Sequence, residues 1–274
     1  AEPAPLLQVP DDVAMESTVA TSGSVKSATT SAAFRVPSTD TSYSMYEGPF
    51  LIRSPAEYGL ESFAGSNPMD RESKFWNKRA DKYSKRPVSD QGTYEKKLEI
   101  TREYFRPDME VLELGCGTGS TAIAHAPYVK HILATDLSTR MIEIARDKAK
   151  AAGIDNVTFE AVSADGLDVP DDSIDAVMGH NLLHLLEDRE QVIADVHRML
   201  KSGGLFVTST ACIGDMMLLF RLIIPVGRSL RLFPLVKVFT AAELKQSLEN
   251  AGFQIEHEWL PKKNVAVFII CRKR

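Results

Sequence analysis

From residue 110 onward, short apolar runs alternate with longer segments whose apolar residues recur every three or four positions. The runs at 110–114, 131–135, 157–161, 174–179 and 205–210 have strand length, and segments 120–125, 138–151 and 188–200 carry helical spacing. Strands interleaved with helices predict a parallel sheet. The pattern changes near the end, where a helix over 241–251 precedes two strand-like runs, 253–260 and 265–272, joined by the turn Pro261-Lys-Lys-Asn. That ending predicts a hairpin and an antiparallel edge. Upstream, Phe75, Trp76, Ala80 and Tyr83 fall near helical spacing, and 94–105 continues as a charged amphipathic helix with Leu98, Ile100 and Tyr104 available to pack. Residues 71–106 therefore read as a helical cap, and residues 107–274 as the main domain.

Residues 111–120 read Val-Leu-Glu-Leu-Gly-Cys-Gly-Thr-Gly-Ser. A strand that breaks into alternate glycines can turn tightly and let a ligand approach its backbone. Twenty-one residues after Gly115, the run His131-Ile-Leu-Ala-Thr ends in Asp136. A carboxylate there can accept hydrogen bonds from both hydroxyls of a ribose, so the pair points to an adenosine-containing cofactor. Asp136 also suits the start of the helix near Ser138, where negative charge is favoured in any protein. A dinucleotide site requires G-x-G-x-x-G, whereas here Gly115, Gly117 and Gly119 alternate and Ser120 stands where the third glycine would fall. This spacing disfavours a nicotinamide-dependent oxidoreductase.

With Glu113-Leu-Gly-Cys-Gly-Thr-Gly, Asp136-Leu-Ser-Thr-Arg-Met, Ser173-Ile-Asp-Ala-Val-Met and Leu200-Lys-Ser-Gly-Gly-Leu in that order, roughly residues 71–274 resemble the class I S-adenosylmethionine-dependent methyltransferases. The motif spellings and the Phe75-Trp76 opening look most like the quinone and sterol type of small-molecule methyltransferase. The resemblance implies an α/β, Rossmann-like fold: a seven-stranded, mostly parallel sheet in the order 3-2-1-4-5-7-6, with the last strand antiparallel and helices on both faces. It implies S-adenosyl-L-methionine as cofactor. Gly115, Cys116, Gly117 and Gly119 then form the loop at its amino-acid end, and Glu113 places a carboxylate near the ammonium. Burying that glutamate without a cationic partner would be costly. Asp136 takes the ribose, while Leu137 and Met141 contact adenine or belong to the core. The family often has an aspartate after the third strand, and here Val162-Ser163-Ala164 occupies the place. Adenine recognition then falls to the Ser163 hydroxyl, the Ala164 backbone N–H or Asp165. Asn181 joins the cofactor set. Tyr83, in the W-x-x-x-A-x-x-Y spacing, contacts the methionine end or anchors the cap.

Past the fourth strand comes Gly179-His180-Asn181-Leu182-Leu183-His184, at the sheet edge where open α/β folds bind substrates. His180 is the candidate general base or acceptor contact, against the alternative of a packed histidine, and His184 is a weaker candidate. His125, His131, His197 and His257 are given no role. A sulfonium methyl is already electrophilic, so holding the acceptor in line is the main requirement, worth up to ~7–11 kcal/mol. No metal or protein nucleophile is expected, and no ligand cluster with persuasive spacing is visible.

Composition adds the surroundings. With 274 residues and 44% hydrophobic content, the chain can bury one full core and leave a tail. Its three cysteines make no disulfide framework, which suggests a reducing, intracellular setting. That setting is the cytoplasm, or a plastid or mitochondrion after removal of a targeting segment; Asp11, Asp12 and Glu16 weigh against the organelle. Residues 1–70 carry nine acids and three bases and read as an acidic, Ser/Thr-rich arm or linker, leaving about +1 for the remainder. No nucleic-acid footprint follows. Arg221, Pro225 and Arg228 interrupt the greasiest stretch before it reaches the ~18 residues of a membrane span. Residues 211–239, rich in apolar and cationic side chains, lie where the family builds its substrate lid. They suggest a small hydrophobic acceptor such as a prenylated ring, lipid or polyketide, or peripheral contact with an anionic membrane surface; a packing lid or subunit interface is the equal alternative. The leading expectation is methyl transfer to a small hydrophobic acceptor by in-line displacement. The competing one is a methyltransferase-like, non-catalytic subunit of a larger assembly, attached through residues 1–70 and 211–239.

Overall fold

The structure, a computed structural model, describes residues 68–215, 235–261 and 266–274. Strands β1 (Glu110–Leu114), β2 (His131–Thr135), β3 (Val157–Glu160), β4 (Ile174–His180), β5 (Leu200–Thr210), β6 (Phe253–Trp259) and β7 (Val267–Lys273) form one sheet in the order β3-β2-β1-β4-β5-β7-β6. The first five pair in parallel, and β7 runs antiparallel to both β5 and β6. Every residue of β1 and β2 is buried, as parallel strands covered on both faces require. This is the expected class I arrangement. Strand β5 starts at Leu200 rather than at the expected 205. The extra residues, Lys201 to Gly204, carry no apolar alternation, and Gly203 there has a φ of 76° that glycine adopts without strain.

Seven α-helices are described: α1 (Pro68–Asn77), α2 (Ala80–Ser84), α3 (Gln91–Arg102), α4 (Ser120–His125), α5 (Thr139–Ala151), α6 (Arg189–Met199) and α7 (Ala241–Asn250). Four begin at a side chain that accepts from a backbone N–H: Asp90 from Thr93, Ser138 from Met141, Asp188 from Gln191, and Thr240 from Glu243 in a full capping box. Asp90 explains why α3 starts at Gln91, three residues before the apolar pattern shows it. The two sheet faces follow the two-residue period of the strands. On one, Val111, Ile132, Ala134, Ala176, Met178 and Val207 share a core with Ile100, Ala122, Ile142 and Ala145 of α3, α4 and α5. On the other, Leu112, Leu133, Val177 and Phe206 share a core with Val192 and Ile193 of α6 and Leu244 and Leu248 of α7.

The cap docks through polar contacts. Asn77 Oδ1 accepts from Ser138 Oγ at 2.6 Å and from the Arg140 N–H at 3.0 Å. Ser73 Oγ donates to the Leu137 carbonyl at 3.1 Å, and Asp81 pairs with Arg140 at 2.7 Å. All of these meet the start of α5. The acidic arm up to residue 67, the lid residues 216–234 and turn residues 262–265 lie outside the described residues.

Gly119 departs from the expectation of a cofactor contact. Its φ is 75°, and an added Cβ would stand 2.7 Å from Phe159 Cε1 and 2.8 Å from Ala145 Cβ. It supplies the close approach of loop, β3 and α5 that the third glycine of a dinucleotide loop would give, one position earlier. Gly119→Ala should therefore lower stability by about 2 kcal/mol or more, from positive φ and overpacking together. Urea unfolding checks this, and an unchanged midpoint would contradict the packing role.

Candidate functional site

The sheet face beneath α3, α4 and α5 is apolar until its carboxyl edge, where it turns polar. Along β1 Val111 gives way to Glu113, along β4 Ala176 and Met178 give way to His180, and along β5 Leu205 and Val207 give way to Ser209. Asp136 stands one residue past β2. Register aligns them: Glu113 lies beside Ala134 and Met178, and His180 beside Ser209. Paired residues of parallel strands share a face, so these four groups form a row. All four line a cavity of about 910 Å³, within the usual ~300–1,000 Å³ of small-molecule sites.

The glycine loop closes one end. Gly117 has a φ of 55°, and an added Cβ would meet nothing within 4 Å, so its backbone opens onto the cavity. Gly115 (φ 66°) is required for another reason, since its Cβ would stand 2.9 Å from Leu182 Cδ1. The Cys116 N–H donates to the Thr135 carbonyl at 2.9 Å, and burial pushes the Cys116 thiol well above the usual range. Asp136 clasps the loop to α5: Oδ2 accepts from the Gly117 N–H at 2.9 Å and Oδ1 from the Ser138 N–H at 2.8 Å. Burial raises its pKa and these two donors hold it down. Ser138 is the true cap of α5. Each Asp136 oxygen keeps a further lone pair, and the carboxylate lines the cavity.

Glu113 is 2% exposed, and its Oε2 has no hydrogen-bond partner. Burial pushes its pKa up to about 8, against a hydrogen bond from the Ala122 backbone and with Asp136 adding to the rise. No Lys, Arg or His of the described residues forms an ion pair with it. An orphaned carboxylate at the floor of a cavity calls for a cation from outside the chain.

Tyr83, Leu137, Met141, Ser163, Ala164 and Asn181 also line this cavity, so apart from Gly119 all the expected cofactor residues meet there. Tyr83 is 49% exposed at its rim. Asn181 has a φ of 53°, a strained turn for a residue with a side chain. Ser163 donates its hydroxyl to Asp165 Oδ1, which leaves the Asp165 carboxylate as the stronger acceptor beside Leu137 and Met141. His180 Nε2 is buried without a partner; burial, then the charge of Lys97, pushes the imidazole down to about 4.

Three lining residues were missed, Tyr94, Lys97 and His125, and the weaker candidate His184 lines the cavity with them. Tyr94 and Lys97 sit with Leu98 and Thr101 on one stripe of α3, at the i, i+3, i+4, i+7 spacing of a buried face. That spacing was legible, but a lysine within it reads as solvated surface. Burial raises the Tyr94 hydroxyl pKa, against a hydrogen bond with Thr121. His125 is fully buried, edge-on to Phe105 at 5.0 Å, and pushed down to about 3 by burial and then by His180. Burial lowers His184 to about 4.

Residues 111–204 match the family model described as a methyltransferase domain. The uncharacterized methyltransferase YcgJ of Bacillus subtilis is 34% identical over 110 residues, 40% of this chain and 44% of that protein. The ubiquinone/menaquinone biosynthesis C-methyltransferase UbiE of Vibrio vulnificus is 31% identical over 113 residues, again 40% and 44%. The crystal structure of YcgJ superposes with a TM-score of 0.58 at 22% identity, covering 66% of this chain and 99% of YcgJ, which shows the shared fold. Residues 111–204 carry a methyltransferase domain, and the strand order is the one expected of the class I S-adenosylmethionine-dependent fold. The chain spans about half the length of the curated relatives it matches.

S-adenosylmethionine is the cofactor of a class I methyltransferase, and the residues fit it. Glu113 suits an ammonium, the open space at Gly117 suits the chain that bears it, Asp136 suits a ribose diol, and Leu137, Met141 and Asp165 suit an adenine.

In the free chain, Glu113 holds its proton up to about pH 8, whereas the unfolded chain releases it near 4.5. The folded state therefore binds more protons in that window, and stability falls as pH rises through it. Glu113→Gln removes this contribution. The variant should gain on the wild type by on the order of a few kcal/mol between pH ~5 and ~8. Thermal melts across that range measure it, and a constant difference would contradict the burial argument.

Proposed function

We propose that this chain transfers the methyl group of S-adenosylmethionine to a small hydrophobic acceptor by in-line displacement. The observation that carries the reading is the unpartnered Glu113 Oε2 in one cavity with Asp136 and the open backbone at Gly117, an acceptor-rich group suited to an ammonium and a ribose diol. Such a pair of carboxyl groups is a cost to the free fold, so it favours an enzyme over a non-catalytic subunit. The bound cofactor supplies a methyl group on a positively charged sulfur, which is reactive without further activation.

The chain then has to hold an acceptor in line and keep water away. Leu182, Leu185, Ile213, Leu235 and Val236 line the cavity, together with Trp76 and Val88 of the cap segment. This apolar wall supports a hydrophobic acceptor, as does the likeness to a relative named for ubiquinone/menaquinone biosynthesis. His180 faces the same space as a neutral imidazole and is the acceptor contact we favour. The cationic, apolar run at 216–234 extends the reading to a lipid-like acceptor or an anionic membrane surface. The acidic arm is a tether in this scheme, and free, buried Cys116, Cys212 and Cys271 are compatible with a reducing compartment.

Calorimetry with S-adenosylmethionine should give micromolar binding, about −8 kcal/mol. Asp136→Ala should weaken it by roughly 1.5–3 kcal/mol while the circular dichroism stays native. A folded wild type that binds neither the cofactor nor its demethylated product would reject the enzyme reading. Replacing Leu219, Phe220 and Ile223 with serine should abolish liposome sedimentation or acceptor turnover and spare cofactor binding. Unaltered sedimentation and turnover would remove the lid from the account.

A further inference from the structure

The cavity holds a cation that methyl transfer as described above does not use. Lys97 reaches down from α3 so that Nζ donates to Ser209 Oγ at 2.6 Å. No carboxylate of the described residues pairs with it, and Asp90, the cap of its own helix, acts on it only through space. Ser209 lies in register beside His180, whose Nε2 is buried with no partner. Next to His180, and close enough to feel it, is His125, fully buried with neither ring nitrogen bonded. Lys97, Ser209, His125 and His180 all line the cavity, whose neighbouring walls are Leu182, Ile213 and Leu235.

An ammonium group drawn into such a place is costly without a counter-charge, and burial already lowers its pKa. Among the described residues only the Ser209 hydroxyl and the charge of Asp90 offset that cost. Glu113 and Asp136 line the same cavity and suit the ammonium and ribose of the cofactor, which leaves the Lys97 group for a second molecule. A molecule complementary to the Lys97 group has an apolar body and one negative oxygen, for which Lys97 gives the charge, Ser209 a hydroxyl and His180 a ring N–H.

We propose that the methyl acceptor carries an anionic oxygen, phenolate or carboxylate, on an apolar body, and that Lys97, Ser209 and His180 form its binding site. This rests on the methyltransferase reading and narrows it to acidic acceptors. An acceptor held as its anion brings its own electron pair to the new oxygen–carbon bond, while the methyl's carbon–sulfur bond breaks and its pair stays on sulfur, which leaves as the neutral thioether. Its proton has already gone to solvent, so no side chain has to remove it. That accords with His180, whose imidazole is too weak a base near neutral pH to drive a proton transfer.

The test uses the full chain with the demethylated cofactor present, and neutral and ionisable probe pairs: para-nitrophenol with para-nitroanisole, and para-nitrobenzoate with para-nitrobenzamide. The wild type should bind one acidic probe at least about tenfold tighter than its neutral partner. If that probe is the phenol, its visible absorbance should titrate about one pH unit lower when bound. Preference within the first pair assigns a phenolate site, and within the second a carboxylate site. Lys97→Met should erase the preference, Lys97→Arg should retain most of it, and both should bind the demethylated cofactor as the wild type does. Equal binding within both pairs by the wild type would overturn the proposal whatever the variants do, and so would a preference that survives in Lys97→Met. If the demethylated cofactor itself fails to bind, the methyltransferase reading falls, while the probe pairs measured alone still decide the anion site.

Discussion

The site depends on the parallel register of the central strands. Because β1, β2, β4 and β5 run the same way, their carboxyl ends fall on one edge, and residues paired across them share a face. A face that must be apolar under a helix can then change character in one step along several strands at once. Here the step runs from Ala134, Met178 and Val207 to Asp136, His180 and Ser209, with Glu113 between. Polar groups cost least there, where the strands end and the cavity supplies room for a partner.

Asp136 turns that edge into a fixed site. By accepting from the Gly117 and Ser138 N–H groups it joins the loop after β1 to the helix after β2. The same start of α5 receives Asn77 and Ser73 from the cap. Loop, helix and cap therefore converge within a few residues, and a ligand on Asp136 would touch all three. Hydrogen bonds to a charged group are worth roughly twice those between neutral groups, so one buried carboxylate can organise three elements.

The fold was readable because its signal is periodic: the strands from β1 to β4 and helices α4 to α6 stand within a residue or two of their apolar patterns. Where side-chain chemistry sets a boundary instead, the pattern failed, as with the Asp90 cap of α3 and the glycines that extend β5. The loop and Asp136 were legible because few sequences place alternate glycines after one apolar run and an acid after the next. Gly119 could not be sorted from its neighbours, since φ is positive at all three glycines and only the nearness of Phe159 and Ala145 distinguishes it. Lys97 and His125 were hidden for the opposite reason. A lysine and a histidine on amphipathic helices are ordinary, and it takes the third dimension to show that one lacks a counter-charge and the other any hydrogen bond.

The charged groups that line a largely apolar cavity also bear on how the cap is fastened. Water entering beside Asp136 and Lys97 would screen both and weaken whatever they hold. A greasy cap sealed for good would exclude ligands as well. In α2 the only buried residue is Ala80, and the cap is held instead by Asn77, Ser73 and the exposed Asp81 to Arg140 pair. Elements with few buried apolar contacts open at small cost, and α2 is such an element. The cap's polar contacts meet Leu137, Ser138 and Arg140, the residues that follow Asp136, so the group that binds the ligand and the bonds that fasten the cap share one short stretch of chain.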